Sequence, residues 1–175
     1  MLRILVFMAM FAFSQASLAL GYTMEFTEAE IQQKVTAMMP MKKKKYFITV
    51  KFTNPVVDLL EKDNRIGILP DIAIKVPGGI RGKGTANISG SLRYDNKKGA
   101  FYLNKAVLKE LKIDEVPDKH IPTIKDIAQL TLDKFTTVKP IYKLKNDNLK
   151  QKLAKSLLKS IKVENEKLFV ELSPF

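Results

Sequence analysis

The sequence contains no cysteine and a single histidine, His120. The first absence excludes disulfides, thiol catalysis, cysteine-based zinc sites and attachment of a lipid to cysteine. The second excludes a two-histidine metal site and leaves one position for any histidine-dependent triad. Acidic residues are scarce: 18 Asp and Glu stand against 30 Lys and Arg, for a formal net charge of +12. After residue 19 no stretch approaches the roughly 20 apolar residues that a bilayer-spanning helix requires. Nothing in this inventory assembles into a catalytic group, a metal site or a cofactor site. The expectation is a protein that is not an enzyme.

What is present begins with a leader. Arg3 follows the start, and Ile4 to Phe13 is an uninterrupted run of ten apolar residues. Ser17 and Ala19 then place small residues where a signal peptidase reads. This layout predicts a secretory signal over residues 1–19, cleaved near Ala19. The other reading is a membrane anchor, but Ser14-Gln15 interrupts an already short run. Residues 20–175 are expected to form one exported domain in the periplasm. Outside the cytoplasm the positive charge points away from nucleic acid and toward anionic head groups; a solvated lysine surface explains it equally.

Thr27-Glu28-Ala29-Glu30 is a capping-box pattern and predicts a helix to about Met38, with Ala29, Ile31, Val35 and Met38 on its apolar side. From Tyr46 onward the pattern has period two. It predicts strands over 46–60, 66–76, 82–94 and 100–113, with a bulge at Asn54-Pro55 and breaks at 62–65, 77–79 and 95–99. Consecutive strands with short connections favour a four-stranded antiparallel meander. Gly84, Ala86 and Gly90 leave the third strand thin on its apolar face, so another element or a ligand must come close there. The expected neighbour is a helix starting within 117–122 and running to Val138, with Ile124, Ile127, Ala128, Thr131, Phe135 and Val138 inward. Asp118 is its candidate cap. A short strand at 141–144, a lysine-rich helix over 148–160 through Leu149, Leu153 and Leu157, and a hairpin turning at 165–167 complete an α+β chain.

Three local motifs invite chemistry. Gly78-Gly79-Ile80-Arg81-Gly82-Lys83-Gly84-Thr85 resembles a phosphate loop, but Pro77 occupies the first glycine position, Gly84 follows the lysine, and a strand pattern follows instead of a helix. Asp114, Glu115, Asp118 and His120 cluster without a recognisable ligand spacing, and acids before a helix start complement its dipole. Met38-Met39-Pro40-Met41 followed by Lys42, Lys43, Lys44 and Lys45 is the most unusual composition. It reads either as an adaptable apolar surface beside cations for an anionic membrane, or as a helix end followed by a solvated loop.

Gly21-Tyr22-Thr23, Phe26-Thr27-Glu28-Ala29-Glu30-Ile31-Gln32, Lys98-Gly99-Ala100-Phe101-Tyr102-Leu103 and Pro140-Ile141-Tyr142-Lys143-Leu144 together resemble the YceB-like bacterial envelope lipoproteins. The resemblance implies a long antiparallel sheet curled around a long helix, similar to the tubular lipid-binding superfamily that includes bactericidal permeability-increasing protein. It departs from the lipoprotein pattern at Leu18-Ala19-Leu20, where the lipid-bearing cysteine is missing. A monomeric carrier of a lipid-like ligand, not lipid-anchored, is the implied function. Its pocket would be lined by Ile48, Val50, Phe52, Ile72, Ile74, Ile88, Leu92, Phe101, Leu103, Ile124, Ala128 and Phe135. The same residues would serve as a solid core. In that case the chain is an interaction module working through a sheet edge or the Met-Lys segment.

Overall fold

The computed structural model describes residues 21–144, 153 and 156–174. The leader over 1–19 lies outside them, as does most of the expected helix over 148–155. Among the described residues nine strands form a six-stranded sheet, whose strands lie side by side in chain order, and a three-stranded sheet that joins the first strand to the last two. All described strand pairings are antiparallel. The fold is α+β with one long helix and an open sheet.

β1 (Tyr22–Thr27) enters α1 (Glu28–Thr36) through the expected capping box: the Thr27 hydroxyl accepts from the Glu30 N–H at 3.2 Å, and the Glu30 carboxylate accepts from the Thr27 N–H at 2.9 Å. Ile31 and Val35 are buried, one helical turn apart. The helix stops at Thr36, before Met38, and Ala29 is exposed.

The expected meander of four strands is extended at both edges. β2 (Met41–Lys45) pairs with β3 (Ile48–Leu60) through a two-residue turn, so the four lysines form a strand and not a loop. β4 (Arg65–Lys75), β5 (Arg81–Asp95) and β6 (Ala100–Asp114) follow in order, and β7 (Tyr142–Lys143) closes the far edge. The bulge expected at Asn54-Pro55 is present: the β3–β4 register slips between Thr53 and Val56, with Asn54 at φ 46°. The extra residue switches the inward set from Ile48, Val50 and Phe52 to Val57 and Leu59.

The thin face of β5 is filled by β6 and not by a helix or ligand. A Cβ on Gly84 would collide with the Lys112 carbonyl, and one on Gly90 would lie 2.8 Å from the Leu103 side chain. Close strand approach bends the sheet. α2 (Ile121–Val138) touches β6 and also the opposite edge strand β2, which places the long helix inside the curl.

α2 starts and ends where expected, but its cap and its buried stripe differ. Residues 118–120 form a short 3-10 turn and Asp118 makes no side-chain cap. At the other end the buried stripe runs Ile124, Ile127, Ala128, Thr131, Leu132 and Thr136; Val138 is 66% exposed and Phe135 is half-buried. The i, i+4 line from Ala128 through Leu132 to Thr136 carries the contact away from the 135/138 side.

The clearest correction is β8 (Ser156–Glu164), in a segment whose Leu-Lys spacing predicts helix to Ser160. It forms a hairpin with β9 (Lys167–Pro174), and β9 also takes β1 on its other side. Ladder bonds across two strands outweigh a modest local helix preference. Val163, Leu168, Val170 and Leu172 join the common core. Two side chains fasten this sheet to the larger one: Asn64 Oδ1 accepts from the Val163 N–H at 2.8 Å, and Glu61 Oε1 accepts from the Asn165 N–H at 2.7 Å.

Candidate functional site

The residues nominated by sequence as a pocket lining lie mostly in the buried core. Ile48, Val50, Phe52, Ile72, Ile74, Ile88, Leu92, Phe101, Leu103, Ile124 and Ala128 are buried in one cluster between sheet and helices. Phe135 sits at its margin, with the Lys139 ammonium 5.2 Å from the ring centroid. Ile124, Ile127 and Ala128 of α2 are fully buried against this cluster. A polar opening of about 290 Å³ lies farther along α2, between Asp133, Thr136 and Thr137 and the β5–β6 residues Arg93, Asn104 and Lys105. Two apolar crevices beside α1 have cavities of about 20 Å³ each. Each has room for about one water.

The first crevice is bounded by Val35, Met38, Met39 and Met41 on the α1 side and by Ile68, Ile88, Leu103 and Leu132 opposite. The second is bounded by Phe26, Ile31, Leu92, Phe101 and Tyr142, with Glu30 and Lys34 as the only charged lining residues. Ile141 borders both, and the two crevices flanking it along α1 are termed the seam. Among the nominated residues Ile88, Leu92, Phe101 and Leu103 reach the seam; the others are packed elsewhere in the core. Phe26, Ile31, Val35, Ile141 and Tyr142 were not nominated. The composition around Met38 to Met41 was the available sequence signal for that wall.

Aromatic rings stiffen one side of the seam. Phe26 meets Tyr142 edge-on at 4.9 Å and Phe101 at 5.9 Å between centroids, while Tyr94 lies 4.7 Å from Phe101. Burial, and secondarily Asp95, raises the Tyr94 pKa, so its hydroxyl stays protonated and donates to the Leu153 carbonyl at 3.3 Å. The methionine side has no such order; unbranched thioether chains repack readily. At the mouth, Glu30 is held ionised: bonds from the Thr27 N–H, then from the Thr27 hydroxyl, lower its pKa.

The other nominated surface divides. Strand alternation sends Lys42 and Lys44 outward and exposed, while Lys43 and Lys45 share the side of buried Met41 and are half-buried. The four lysines therefore do not form one patch. Among the described residues no group of three or more His, Cys, Asp or Glu is placed to hold a metal, so Asp114, Glu115, Asp118 and His120 do not converge. No described helix is long and apolar enough to cross a membrane.

A family model covers residues 26–167, from the ring at the seam mouth to the start of β9. The chain belongs to DUF1439, a family of proteins of unknown function. The family span takes in the seam, both helices and the whole six-stranded sheet. No curated protein matches the chain in sequence. Among solved structures, a crystal structure of lipopolysaccharide binding protein is 12% identical; the match covers 86% of this chain but 40% of that one. Its TM-score of 0.25 is too low to carry an argument about fold or ligand.

Proposed function

We propose that this chain is a non-catalytic, periplasmic binding protein whose ligand is a lipid or another hydrophobic molecule, taken up beneath α1. The observation that carries the reading is the seam: two apolar crevices sharing Ile141, walled on one side by Met38, Met39 and Met41 and opening at Glu30 and Lys34. At its present width each crevice has room for about one water molecule. Uptake therefore requires α1 to lift and the methionines to repack, which their flexibility favours. A charged pair at the mouth suits the polar end of an amphiphile. The YceB-like resemblance, with its implied tubular lipid-binding relatives, points the same way. The lone histidine and missing cysteine supply no nucleophile–base pair, which is why catalysis is left out.

Native mass spectrometry of protein recovered from its own envelope tests the reading. A bound lipid mass is expected, diminished when Val35→Trp fills the seam. Protein free of ligand in every preparation would remove it. The complete burial of Ile124, Ile127 and Ala128 against the sheet favours a second reading, an interaction module with a solid core. One stoichiometric protein partner together with an empty seam would select that alternative.

A further inference from the structure

The outer face of the six-stranded sheet, opposite the seam, carries a second feature. Strand register places Lys42, Lys51, Ala73 and Lys83 in one row across β2, β3, β4 and β5. The adjacent row is Lys44, Thr49, Lys75 and Arg81. Six of these eight positions are cationic and none is acidic. Together they line a groove of about 650 Å³. Lys42 lies directly opposite Lys51, and Lys75 directly opposite Arg81. Like charges in that relationship destabilise a sheet. None of the six cations forms an ion pair among the described residues. The nearest acids border the grid: Asp114 opposite Lys83, and Asp71, whose carboxylate accepts from Asn54 at 2.8 Å. Lysines on an edge strand discourage unwanted strand pairing. That accounts for β2 but not for Lys51, Lys75, Arg81 and Lys83, which lie on interior strands.

A second, independent observation lies at the same end of the sheet. The β2–β3 turn consists of Tyr46 and Phe47, at φ 50° and 64°. A two-residue turn with both positions left-handed favours Asn-Gly, and bulky aromatics there are strained. The comparable β8–β9 turn is Asn165-Glu166, and it is tied to the rest of the fold through Glu61 and Glu28. Tyr46 and Phe47 have no such tie. They are 69% and 78% exposed, touched by the Lys45 and Lys44 ammonium groups at 4.8 and 5.9 Å from the ring centroids.

We infer that the β2–β3 hairpin and the basic grid beside it form a docking surface for an anionic phospholipid membrane. Tyr46 and Phe47 enter the head-group boundary, where aromatic side chains reside favourably. Lys42, Lys44, Lys51, Lys75, Lys83 and Arg81 then meet lipid phosphates, which relieves their mutual repulsion. An acidic protein would complement the grid but would not call for two strained, projecting aromatic rings. The docking surface is on the opposite side of the sheet from the seam and stands whether or not the seam holds a ligand.

Co-sedimentation of envelope-recovered protein with phosphatidylglycerol–phosphatidylcholine vesicles, against phosphatidylcholine alone, tests this. Partition onto the anionic vesicles is expected, weakening as salt is added. Tyr46→Asn with Phe47→Gly installs the favoured turn pair, so thermal stability should hold or rise while partition falls about tenfold. Lys51→Gln with Lys75→Gln and Lys83→Gln should lower partition about a hundredfold, by the usual worth of interfacial lysines. Retention of the circular dichroism spectrum establishes that both variants are folded. Equal partition onto both vesicle types, undiminished partition in either folded variant, or tighter binding to polyglutamate than to anionic vesicles would each overturn the inference. Bound-lipid mass in the seam is read separately and is expected to be unchanged by the tip variant.

Discussion

Gln32 and Gln129 hold equivalent posts on the two helices. The Gln32 amide accepts from the Val57 N–H at 2.7 Å and donates to the Pro55 carbonyl at 2.6 Å. The Gln129 amide accepts from the Leu108 N–H at 3.1 Å and donates to the Ala106 carbonyl at 2.8 Å. Both targets flank irregularities: the β3 slip at Asn54, and the β5–β6 slips near Lys105, itself at φ 47°. β2 pairs with β3 only over Ile48–Phe52 and β7 with β6 only over Ala100–Phe101, so beyond these stretches the outer edges of β3 and β6 have no strand neighbour among the described residues. In each case one side-chain amide takes the place of the missing strand partner and fixes the helix to the sheet.

Replacing either glutamine by Ala should therefore cost more than an ordinary surface change. Each leaves a part-buried N–H and C=O unpaired, worth about 1–3 kcal/mol. The two sites share no partner, so the double variant should sum the single losses. Urea denaturation of the four proteins in the cycle measures this directly.

Gly84 and Gly78 separate two reasons for glycine. Gly84→Ala drives a methyl into the Lys112 carbonyl, backbone that the β5–β6 ladder holds in place. Its expected cost is about 3 kcal/mol, the upper end for overpacking. Gly78 has open space around it but φ 82°, so Gly78→Ala should cost about 1–2 kcal/mol for the left-handed backbone alone. Thermal melts should rank them in that order.

The two ends of α2 give a further contrast. Leu132 is fully buried and lines the seam, so Leu132→Ala should cost about 2–5 kcal/mol. Val138→Ala should stay within about 0.5 kcal/mol, because the side chain is exposed. Equal losses would return Val138 to the core.

Glu30 should make the fold acid-sensitive. Its folded pKa is lowered from 4.5, first by the Thr27 N–H and then by the Thr27 hydroxyl. A lowered carboxylate pKa adds stability above the unfolded value, and that stability disappears as pH falls through the folded value. Wild type should exceed Glu30→Gln in urea midpoint at about pH 7, and the difference should vanish below the folded pKa. Glu171, lowered first by Lys159 and then by Ser160, adds a contribution of the same sign. Thr27→Ala should cost about 1 kcal/mol at neutral pH through loss of the cap.

Much of this was legible before the structure. The capping box, the Asn54-Pro55 bulge, the central strands and the inward face from Ile48 to Leu103 all follow from local periodicity and turn chemistry. The seam was only half legible. Its sheet wall was nominated, but the α1 wall depends on how a nine-residue helix docks across the sheet. Gln32 and Gln129 were not nominated at all, because a polar residue beside a helix's apolar stripe gives no sign of the strand edge it will satisfy. Ser156 to Ser160 was misread since its leucines fit a helical spacing, while its pairing partner lies at the other end of a hairpin.

By itself the sequence determined the elements, the inward faces of the central strands, and the exclusion of thiol chemistry and two-histidine metal sites. Those properties depend on residue type and on contacts a few positions apart. Tertiary structure alone decided that Ile48, Val50, Phe52, Ile72, Ile74, Ile124 and Ala128 pack as core and that the apolar crevices lie beside α1. It also decided that Lys42 and Lys44 join Lys51, Lys75, Lys83 and Arg81 while Lys43 and Lys45 turn away. The physical reason is register: a strand alternates its side chains, and only pairing with distant strands determines which cations stand side by side.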